Sequence, residues 1–304
     1  MALVAFIGFG ELGAALARRL GDSGAHEMRA WTRDRPDLDA AGLAARTERM
    51  RAAGVERIAT LEDALRGADL VLSVVSGESA REVAERSAGL LDNDALYADL
   101  TAAPVADKEA SAKVVGRSGG RYVDGAVLGT VAVPDAKIPI VASGDGAPAL
   151  QELAACKGIS VETLDGPPGR ATQLKLLRSV YMKGRDALVV ETLLAARRCG
   201  LEERLVASIE GPGERVSFAD LSDRTLRSLA VHAGRRAEEL DSSTDVVRGT
   251  GIAPLLAPAA AETLRRVAET GVREAFDGRR PESSAEVLAL LDERFSEAAA
   301  PESE

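Results

Sequence analysis

The stretch Leu3-Val-Ala-Phe-Ile-Gly-Phe-Gly-Glu-Leu-Gly13 decides the fold of this chain. Its apolar first half has the length of a buried strand, and its glycines follow at once in the pattern G-x-G-x-x-G. Good helix formers come next, with leucines recurring every four residues on one face: Leu12, Leu16 and Leu20. Strand, glycine turn and helix are the context in which this pattern predicts a dinucleotide site.

Each glycine of the predicted turn has its own task. Gly8 allows the tight turn, Gly10 lets the backbone approach a pyrophosphate, and Gly13 lets the helix pack closely on the strand. The free N–H groups and the positive end of the helix dipole then favour phosphates. The predicted cofactor contacts in this turn are Gly8, Phe9, Gly10, Glu11, Leu12 and Gly13.

The bulk composition is that of a globular protein with a sizeable core. The 304 residues are 46% hydrophobic and 28% charged, and only 3% are aromatic, so Ala, Val and Leu must form most of the core. A formal charge of −10 argues against nonspecific binding to nucleic acid. Two cysteines, Cys156 and Cys199, indicate no disulfide framework, and no apolar run reaches the length of a membrane span. We expect a cytoplasmic protein that binds neither nucleic acid nor membrane, with no metal site.

Strand and helix signals alternate through the first half of the chain, which predicts a doubly wound parallel sheet. The rhythm changes at the turn Gly166-Pro167-Pro168-Gly169. From Ala171 to Cys199 there is no proline, and the spacing of apolar residues predicts one long helix followed only by further helices. The predicted fold class is therefore α/β: an N-terminal Rossmann domain over residues 1–165 and an all-helical domain over residues 166–304, which holds substrate and dimerises.

The end of the second predicted strand bears on the choice of cofactor. An acidic residue at this place would hold the ribose 2′-hydroxyl of NAD. Here the place holds Thr32-Arg33, with Arg35 close by, and a guanidinium can make paired hydrogen bonds to a 2′-phosphate. The sequence therefore favours NADP(H) over NAD(H), although Asp34, shifted slightly, could serve NAD.

Lys175 is the main candidate for chemistry outside the cofactor turn. It lies in the first turns of the predicted long helix, and Ser179 and Lys183 follow at i+4 and i+8 on the same face. A helix face at a domain junction is a common place for a ligand site.

Taken together, these residues resemble the β-hydroxyacid dehydrogenase family, which includes the 3-hydroxyisobutyrate and 6-phosphogluconate dehydrogenases. The resemblance is strong up to about Gly200 and looser beyond. It is carried by Gly8–Gly13, Val74-Val75-Ser76, Asp99-Leu100-Thr101, Asp124–Thr130 and the run from Gly169 to Ser179. The resemblance implies that Val75 and Ser76 lie at the nicotinamide ribose, and that Lys175 exchanges the proton of the substrate hydroxyl group. The contacts it implies for the substrate are Thr101, which also meets the cofactor, and Leu128, Gly129, Thr130 and Ser179.

Two positions depart from the family pattern. Leu128 replaces a serine that would help to hold a substrate carboxylate, and Ser179 replaces an asparagine that would hold the reacting hydroxyl group. The later part of the chain resembles the phosphogluconate-dehydrogenase-like branch of bacteria. There Lys183, His232 and Arg235 are candidate substrate contacts, since His232, Arg235 and Arg236 share one side of a helix and form a candidate anion site.

The leading hypothesis is an NADP(H)-dependent oxidoreductase that transfers hydride between nicotinamide and a small, anionic hydroxy acid or a related alcohol. An imine reductase on the same architecture is the second hypothesis; the retention of Lys175 favours alcohol chemistry. A protein that binds NADP(H) without turnover is the third. The Ala-, Leu- and Val-rich helices near the C-terminus predict a homodimer.

Overall fold

The computed structural model describes residues 2–22, 26–33, 39–129, 137–154, 158–210 and 216–299. The chain divides into two units, Met1–Val180 and Tyr181–Glu304, and the division lies inside the long helix that follows the Gly-Pro-Pro-Gly turn. The domain boundary at residues 165–166 lies at the start of that helix and stays a prediction.

The described part of the first unit contains one eight-stranded sheet. Its strands are β1 (Ala2–Ile7), β2 (His26–Trp31), β3 (Glu56–Arg57), β4 (Leu70–Ser73), β5 (Leu96–Asp99), β6 (Arg121–Val127), β7 (Ile138–Ser143) and β8 (Ile159–Thr163). They are ordered β3-β2-β1-β4-β5-β6-β7-β8, so the strand order reverses beside β1, where the chain returns to add β4. In open α/β sheets, ligands bind outside the carboxyl ends of the strands at such a switch point.

All neighbouring strands are parallel except β6 and β7, which pair antiparallel. The predicted Rossmann fold with its doubly wound, mostly parallel sheet is confirmed, and β6 and β7 form an antiparallel pair within it. Only residues 128–137 separate the two strands. That is fewer than a parallel crossover needs, so the chain can only turn back on itself here.

Helices cover both faces of the sheet. They are α1 (Glu11–Gly21), α2 (Ala40–Ala52), α3 (Leu61–Leu65), α4 (Ala80–Ala88), α5 (Val105–Arg117) and α6 (Ala147–Ala154). Alternate residues of β1 enter two separate cores: Val4 and Phe6 pack with α1 and α6, whereas Ala5 and Ile7 pack with α3, α4 and α5. Because both faces are buried, β1 is apolar throughout and β4 is apolar up to Ser73, as the sequence indicated.

The second unit is helical in the described residues. Helix α7 (Arg170–Arg198) starts in the first unit and ends in the second; it is followed by α8 (Glu202–Ile209), α9 (Phe218–Gly249), α10 (Leu256–Glu269), α11 (Val272–Ala275) and α12 (Ser284–Ala299). Small and branched side chains from α9 to α12 form its core: Ala230, Ala233, Val267, Val272, Val287 and Leu291. No helix in the described ranges is long and apolar enough to cross a membrane.

Candidate active site

The glycine turn lies at the carboxyl end of β1, between β1 and α1. Gly8 has φ +84°, and a Cβ there would lie 3.0 Å from the Val74 carbonyl oxygen and from Val75 Cγ1. A Cβ on Gly13 would lie 3.3 Å from the Phe9 ring and from Val74 Cγ2. Gly8 is therefore required by its backbone conformation and by the carbonyl beside it, and Gly13 fits closely against the residues that follow β4.

Gly10 differs from its neighbours, because a Cβ there would meet no described atom within 4 Å. The fold leaves open space at Gly10, so a ligand has room to approach the backbone there. Gly10 is also the N-cap of α1 and makes no side-chain capping bond in the described residues. The N–H groups of the first turn of α1 thus face outward as a site for an anion.

The side chains of the turn are not equally available to a cofactor. Glu11 is exposed and Leu12 is half-buried. Phe9 is buried, with its ring edge-on to Phe6 at 5.5 Å between centroids. Because the Phe9 ring is buried, only the backbone of Phe9 can contact a cofactor.

Arg33 follows β2 and reaches the segment that follows β4. Its Nη2 donates to Ser79 Oγ at 2.5 Å, and Ser79 Oγ lies 3.1 Å from Ser76 Oγ. Glu82 Oε2 lies 3.9 Å from Arg33 Nη1, and both side chains are more than half exposed. The guanidinium is thus held by a hydroxyl group while it stays open to solvent and to an incoming anion. Ser79 was not predicted as a site residue.

Thr32, Val75 and Ser76 lie in the loops that follow β2 and β4. Thr32 is buried, and its Oγ1 has no hydrogen-bond partner among the described residues. Of the loop after β4, Val75 is half-buried and Ser76 is exposed. Arg35 and Asp34 lie outside the described residues.

Two carboxylates lie side by side on neighbouring strands, one at the carboxyl end of β5 and the other in the middle of β6. Asp99 and Asp124 are partners in the register of the two parallel strands, and both are buried. Asp99 Oδ1 accepts from the Thr101 N–H at 3.0 Å and from the Thr101 hydroxyl at 2.6 Å. Because its proton is committed to Asp99, the Thr101 hydroxyl can offer only lone pairs to a ligand. A ligand group at Thr101 must therefore be a hydrogen-bond donor.

Lys108 of α5 supplies the cation for these carboxylates. Its Nζ lies 3.0 Å from Asp99 Oδ1 and 3.6 Å from Asp124 Oδ1, and it donates to the Asp99 carbonyl oxygen at 2.9 Å. Burial alone would raise the pKa of Asp99, but the ammonium of Lys108 and the hydrogen bonds from Thr101 outweigh burial and lower it. Burial, together with the charge of Asp99, raises the pKa of Tyr122, whose hydroxyl donates to Asp99 Oδ2 at 2.8 Å.

The role of Lys108 was not predicted from the sequence. A signal was present, because Lys108 shares a helical face with Ser111 and Val115, which are also buried. An ionisable residue on the buried face of a helix requires a buried partner. The sequence does not indicate which carboxylate that partner is.

Asp124 holds the start of α7. Its Oδ2 accepts from the N–H groups of Gly169 and Thr172, each at 2.9 Å, and its Oδ1 accepts from the Thr172 hydroxyl at 2.6 Å. Ser143 adds a further contact, since it accepts from the Ala171 N–H at 3.1 Å and donates to Asp124 Oδ2 at 3.2 Å. A negative charge at this position also stabilises the positive end of the helix dipole.

Lys175 and Ser179 lie one turn apart on α7, and both are half-buried. Leu128 packs beside the first turn of the same helix, in a cluster with Ala126, Val141 and Ala171. The neighbouring Gly129 is exposed and has φ +114°, a conformation that favours glycine. Thr130, another predicted contact, lies outside the described residues.

The second unit brings two of its predicted site residues together. His232 and Arg235, both exposed, line a cavity of about 430 Å³ with Arg273 and Glu274. Arg235 pairs with Glu239 one turn along α9. Lys183, on α7, is exposed. No group of side chains that could hold a metal ion occurs within the described ranges.

Three features together define a dinucleotide-binding protein of the Rossmann class. They are the glycine turn at the switch point, the uncapped start of α1 and the polar residues that follow β2. The model of the NAD-binding domain of 6-phosphogluconate dehydrogenase matches residues 3–156, and a domain of unknown function, DUF1932, matches residues 196–267. The chain belongs to the 6-phosphogluconate dehydrogenase-type family of NAD-binding proteins, and it is an NAD(P)-dependent oxidoreductase of the hydroxyacid dehydrogenase type.

Relatives are similar along most of the chain. An uncharacterised 28.5 kDa protein of Methanothermus fervidus is 25% identical over 254 residues, covering 83% of this chain and 94% of that protein. The solved structure of conserved protein MTH1747, described as similar to 3-hydroxyacid dehydrogenases, is 29% identical and covers 91% of this chain and 98% of its own, with a TM-score of 0.58.

Two more distant structures share the fold. An imine reductase from Aspergillus terreus, in complex with NADPH4 and dibenz[c,e]azepine, is 17% identical, with coverages of 96% and 99% and a TM-score of 0.72. The 3-hydroxyisobutyrate dehydrogenase of Mycobacterium tuberculosis, with L-serine, is 18% identical, with coverages of 95% and 99% and a TM-score of 0.60.

Proposed function

We propose that the protein is an NADP(H)-dependent oxidoreductase that interconverts a small hydroxy acid, or a related alcohol, with its carbonyl form. When bound, the cofactor supplies or accepts a hydride at nicotinamide C4. Lys175 takes the hydroxyl proton on oxidation and returns it on reduction. The main support for the proposal is a continuous chain of contacts that ends one turn before Lys175. It runs from Thr101 through Asp99, Lys108 and Asp124 to Thr172.

The cofactor part of the proposal is supported by residues that fit an adenine dinucleotide with a 2′-phosphate. Gly10 leaves space at an uncapped helix terminus for the pyrophosphate. Arg33, held by Ser79, offers a guanidinium at the end of β2, where the 2′-phosphate would lie. The acidic residue that would hold a ribose hydroxyl group is absent from positions 32 and 33.

The substrate part of the proposal assigns a task to each side chain. Thr101 accepts a hydrogen bond from a donor on the ligand, Ser179 contacts the reacting hydroxyl group, and Gly129 offers its backbone. Lys183, His232 and Arg235 are the proposed contacts for an anionic substituent. Proton exchange by a lysine requires desolvation, because an unperturbed lysine, with a pKa of roughly 10.4, is a weak base at neutral pH.

A second candidate function is the reduction of imines. Thr101 favours it, because the hydroxyl group that donates to Asp99 can accept a hydrogen bond from an iminium N–H as well as from an alcohol. Leu128, packed against Ala171, adds an apolar wall where an anionic substrate would need a polar one. Relatives of the imine reductase type share the fold.

The assembly and location of the protein are also proposals. We propose a homodimer, because α7 carries several exposed apolar side chains, among them Leu177, Val180 and Val190. We place the protein in the cytoplasm, since Cys199 is an exposed free thiol of the kind that a reducing compartment preserves.

The Lys175→Met variant tests the catalytic proposal. It keeps most of the apolar stem and removes the titratable group, so we expect NADPH affinity to survive and turnover to fall roughly 10²- to 10⁴-fold. The assay follows NADP(H) absorbance on the best substrate found in a panel of hydroxy acids, ketones and imines, with NADPH affinity measured by fluorescence.

Lys113→Met is the matched control, because it removes an exposed lysine from α5, and it should leave both quantities unchanged. If Lys175→Met keeps the turnover of the parent protein, another residue must transfer the proton. NADPH binding without consumption across the whole panel would instead support a non-catalytic protein.

A further inference from the structure

We propose that Lys108 is a positioning residue: it holds Asp99 and Asp124 side by side and thereby sets the start of α7, from which Lys175 projects. The inference rests on the proposed function, because it gives α7 a catalytic side chain to position. Lys108 itself is buried and cannot touch a ligand.

Charge is the first reason for the assignment. Asp99 is 1% exposed and Asp124 is 0% exposed, and the two carboxylates lie on neighbouring strands in register. Two like charges at such a place cannot both stay ionised without a cation, so one would take up a proton. The ammonium of Lys108 lies 3.0 Å from one carboxylate and 3.6 Å from the other, so it forms an ion pair with both.

The second reason is that each carboxylate holds a different part of the site. Asp99 accepts two hydrogen bonds from Thr101 and thus holds the loop after β5. Asp124 accepts from the backbone of Gly169 and Thr172 and thus holds the first turn of α7. Because Lys108 contacts both carboxylates, it couples the position of the loop to the position of the helix.

The third reason is that the turn before α7 lies directly on the helix that carries Lys108. Gly169 has φ +106°, and a Cβ there would lie 3.0 Å from Val105 Cγ1 of α5. Close packing leaves little room for the turn to adjust, so a change in the carboxylate pair should be transmitted to the first turn of α7.

The experiment compares Lys108→Met with the double variant Lys108→Met/Asp99→Asn. The single variant leaves two buried carboxylates without their cation. The double variant removes one charge as well, while the asparagine oxygen still accepts from Thr101 and its amide can donate to Tyr122. Lys113→Met is again the control, being an exposed lysine of the same helix.

Two measurements are made on each variant: amide hydrogen exchange of residues 169–175, and kcat, KM and NADPH affinity. In Lys108→Met we expect faster exchange and a fall in kcat of about 10- to 100-fold at unchanged NADPH affinity, since a small misplacement of a reacting group is costly. The double variant should recover both the exchange protection and most of the kcat.

Unchanged exchange in Lys108→Met overturns the inference, and so does faster exchange with parental kcat. A double variant as impaired as the single one also overturns it, because the effect would then be loss of packing. If Lys108→Met does not fold, the double variant alone decides: parental exchange and kcat support charge balance, and impaired values contradict it. Failure of the parent protein to turn over any substrate contradicts the proposed function. The hydrogen-exchange data then still test whether Lys108 sets the start of α7.

Discussion

The residues that follow the carboxyl ends of β1 and β2 are constrained in two different ways. Gly8 is required by the protein itself, because its φ is positive and a Cβ there would press on the Val74 carbonyl group, and Gly13 fits closely against the Val74 side chain. Gly10 and Arg33 are not required by the fold, since one faces open space and the other is half exposed. Residues of the second kind are the ones whose substitution should change binding and leave stability intact.

Arg33→Ala tests the choice of cofactor. Loss of a charge-assisted hydrogen bond costs about 1.5–3 kcal/mol, so NADP(H) affinity should fall about 10- to 100-fold while NAD(H) affinity changes little. Fluorescence titration with both reduced cofactors measures the two constants. Arg81→Ala, an exposed arginine of α4 paired with Glu85, is the control and should leave their ratio unchanged. Equal losses for both cofactors would contradict a 2′-phosphate contact.

At the scale of elements, two helix starts are held by acidic side chains far away in the sequence. Asp124 of β6 holds α7, and Glu191 of α7 holds α10. The Glu191 carboxylate accepts from the N–H groups of Leu255, Leu256 and Ala257 at 2.7, 3.0 and 2.9 Å. Both contacts satisfy backbone donors that a helix cannot satisfy within itself.

Glu191→Gln should lower the stability of the protein and flatten its acid dependence. Desolvation alone would raise the pKa of Glu191, but the three backbone hydrogen bonds outweigh it and lower the pKa. With a lowered folded pKa, the stabilisation is complete above the pKa of an unfolded glutamate, about 4.3. It is then lost as the pH falls through the folded value. We expect a loss of about 1 kcal/mol at neutral pH, the usual value of a helix cap.

Thermal unfolding measured from neutral to acid pH checks this prediction. Glu203→Gln, at an exposed position of α8, is the matched control and should follow the parent curve. A Glu191→Gln variant with the parent's stability at every pH would show that the contact contributes nothing.

At the scale of the whole molecule, the outstanding feature is apolar surface. Helix α7 exposes 71% of Leu177, 73% of Val180 and 65% of Val190. Exposed apolar surface of this extent indicates an interaction site, which we assign to a second copy of the chain.

The homodimer is tested by the mass in solution. Sedimentation at micromolar concentration should give twice the chain mass of 31.7 kDa. Val190→Glu places a charge on the exposed face of α7 and should shift the mass towards the monomer. Leu43→Glu, at an apolar residue of α2 that is 41% exposed, should leave the dimer intact. A parent protein that sediments as a monomer would contradict the assignment.

Much of the fold could be predicted because its signals are local. The strand and glycine turn, the alternation of strands and helices, and the long helix after Gly169 all follow from the spacing of apolar residues and turn formers. The direction of β7 was missed because a parallel and an antiparallel strand have similar sequences. The short connection of residues 128–137 was the only clue.

The sequence by itself determined the Rossmann turn, the helical second half and the position of Lys175 at the start of α7, because each depends on residues close together in the chain. Only the tertiary structure decided which charges meet. Asp99, Lys108, Asp124 and Thr172 are brought into one buried cluster by the register of β5 and β6 and by the packing of α5 and α7. Such pairings have no sequence signal, because a buried charge requires a partner without specifying where in the chain that partner lies.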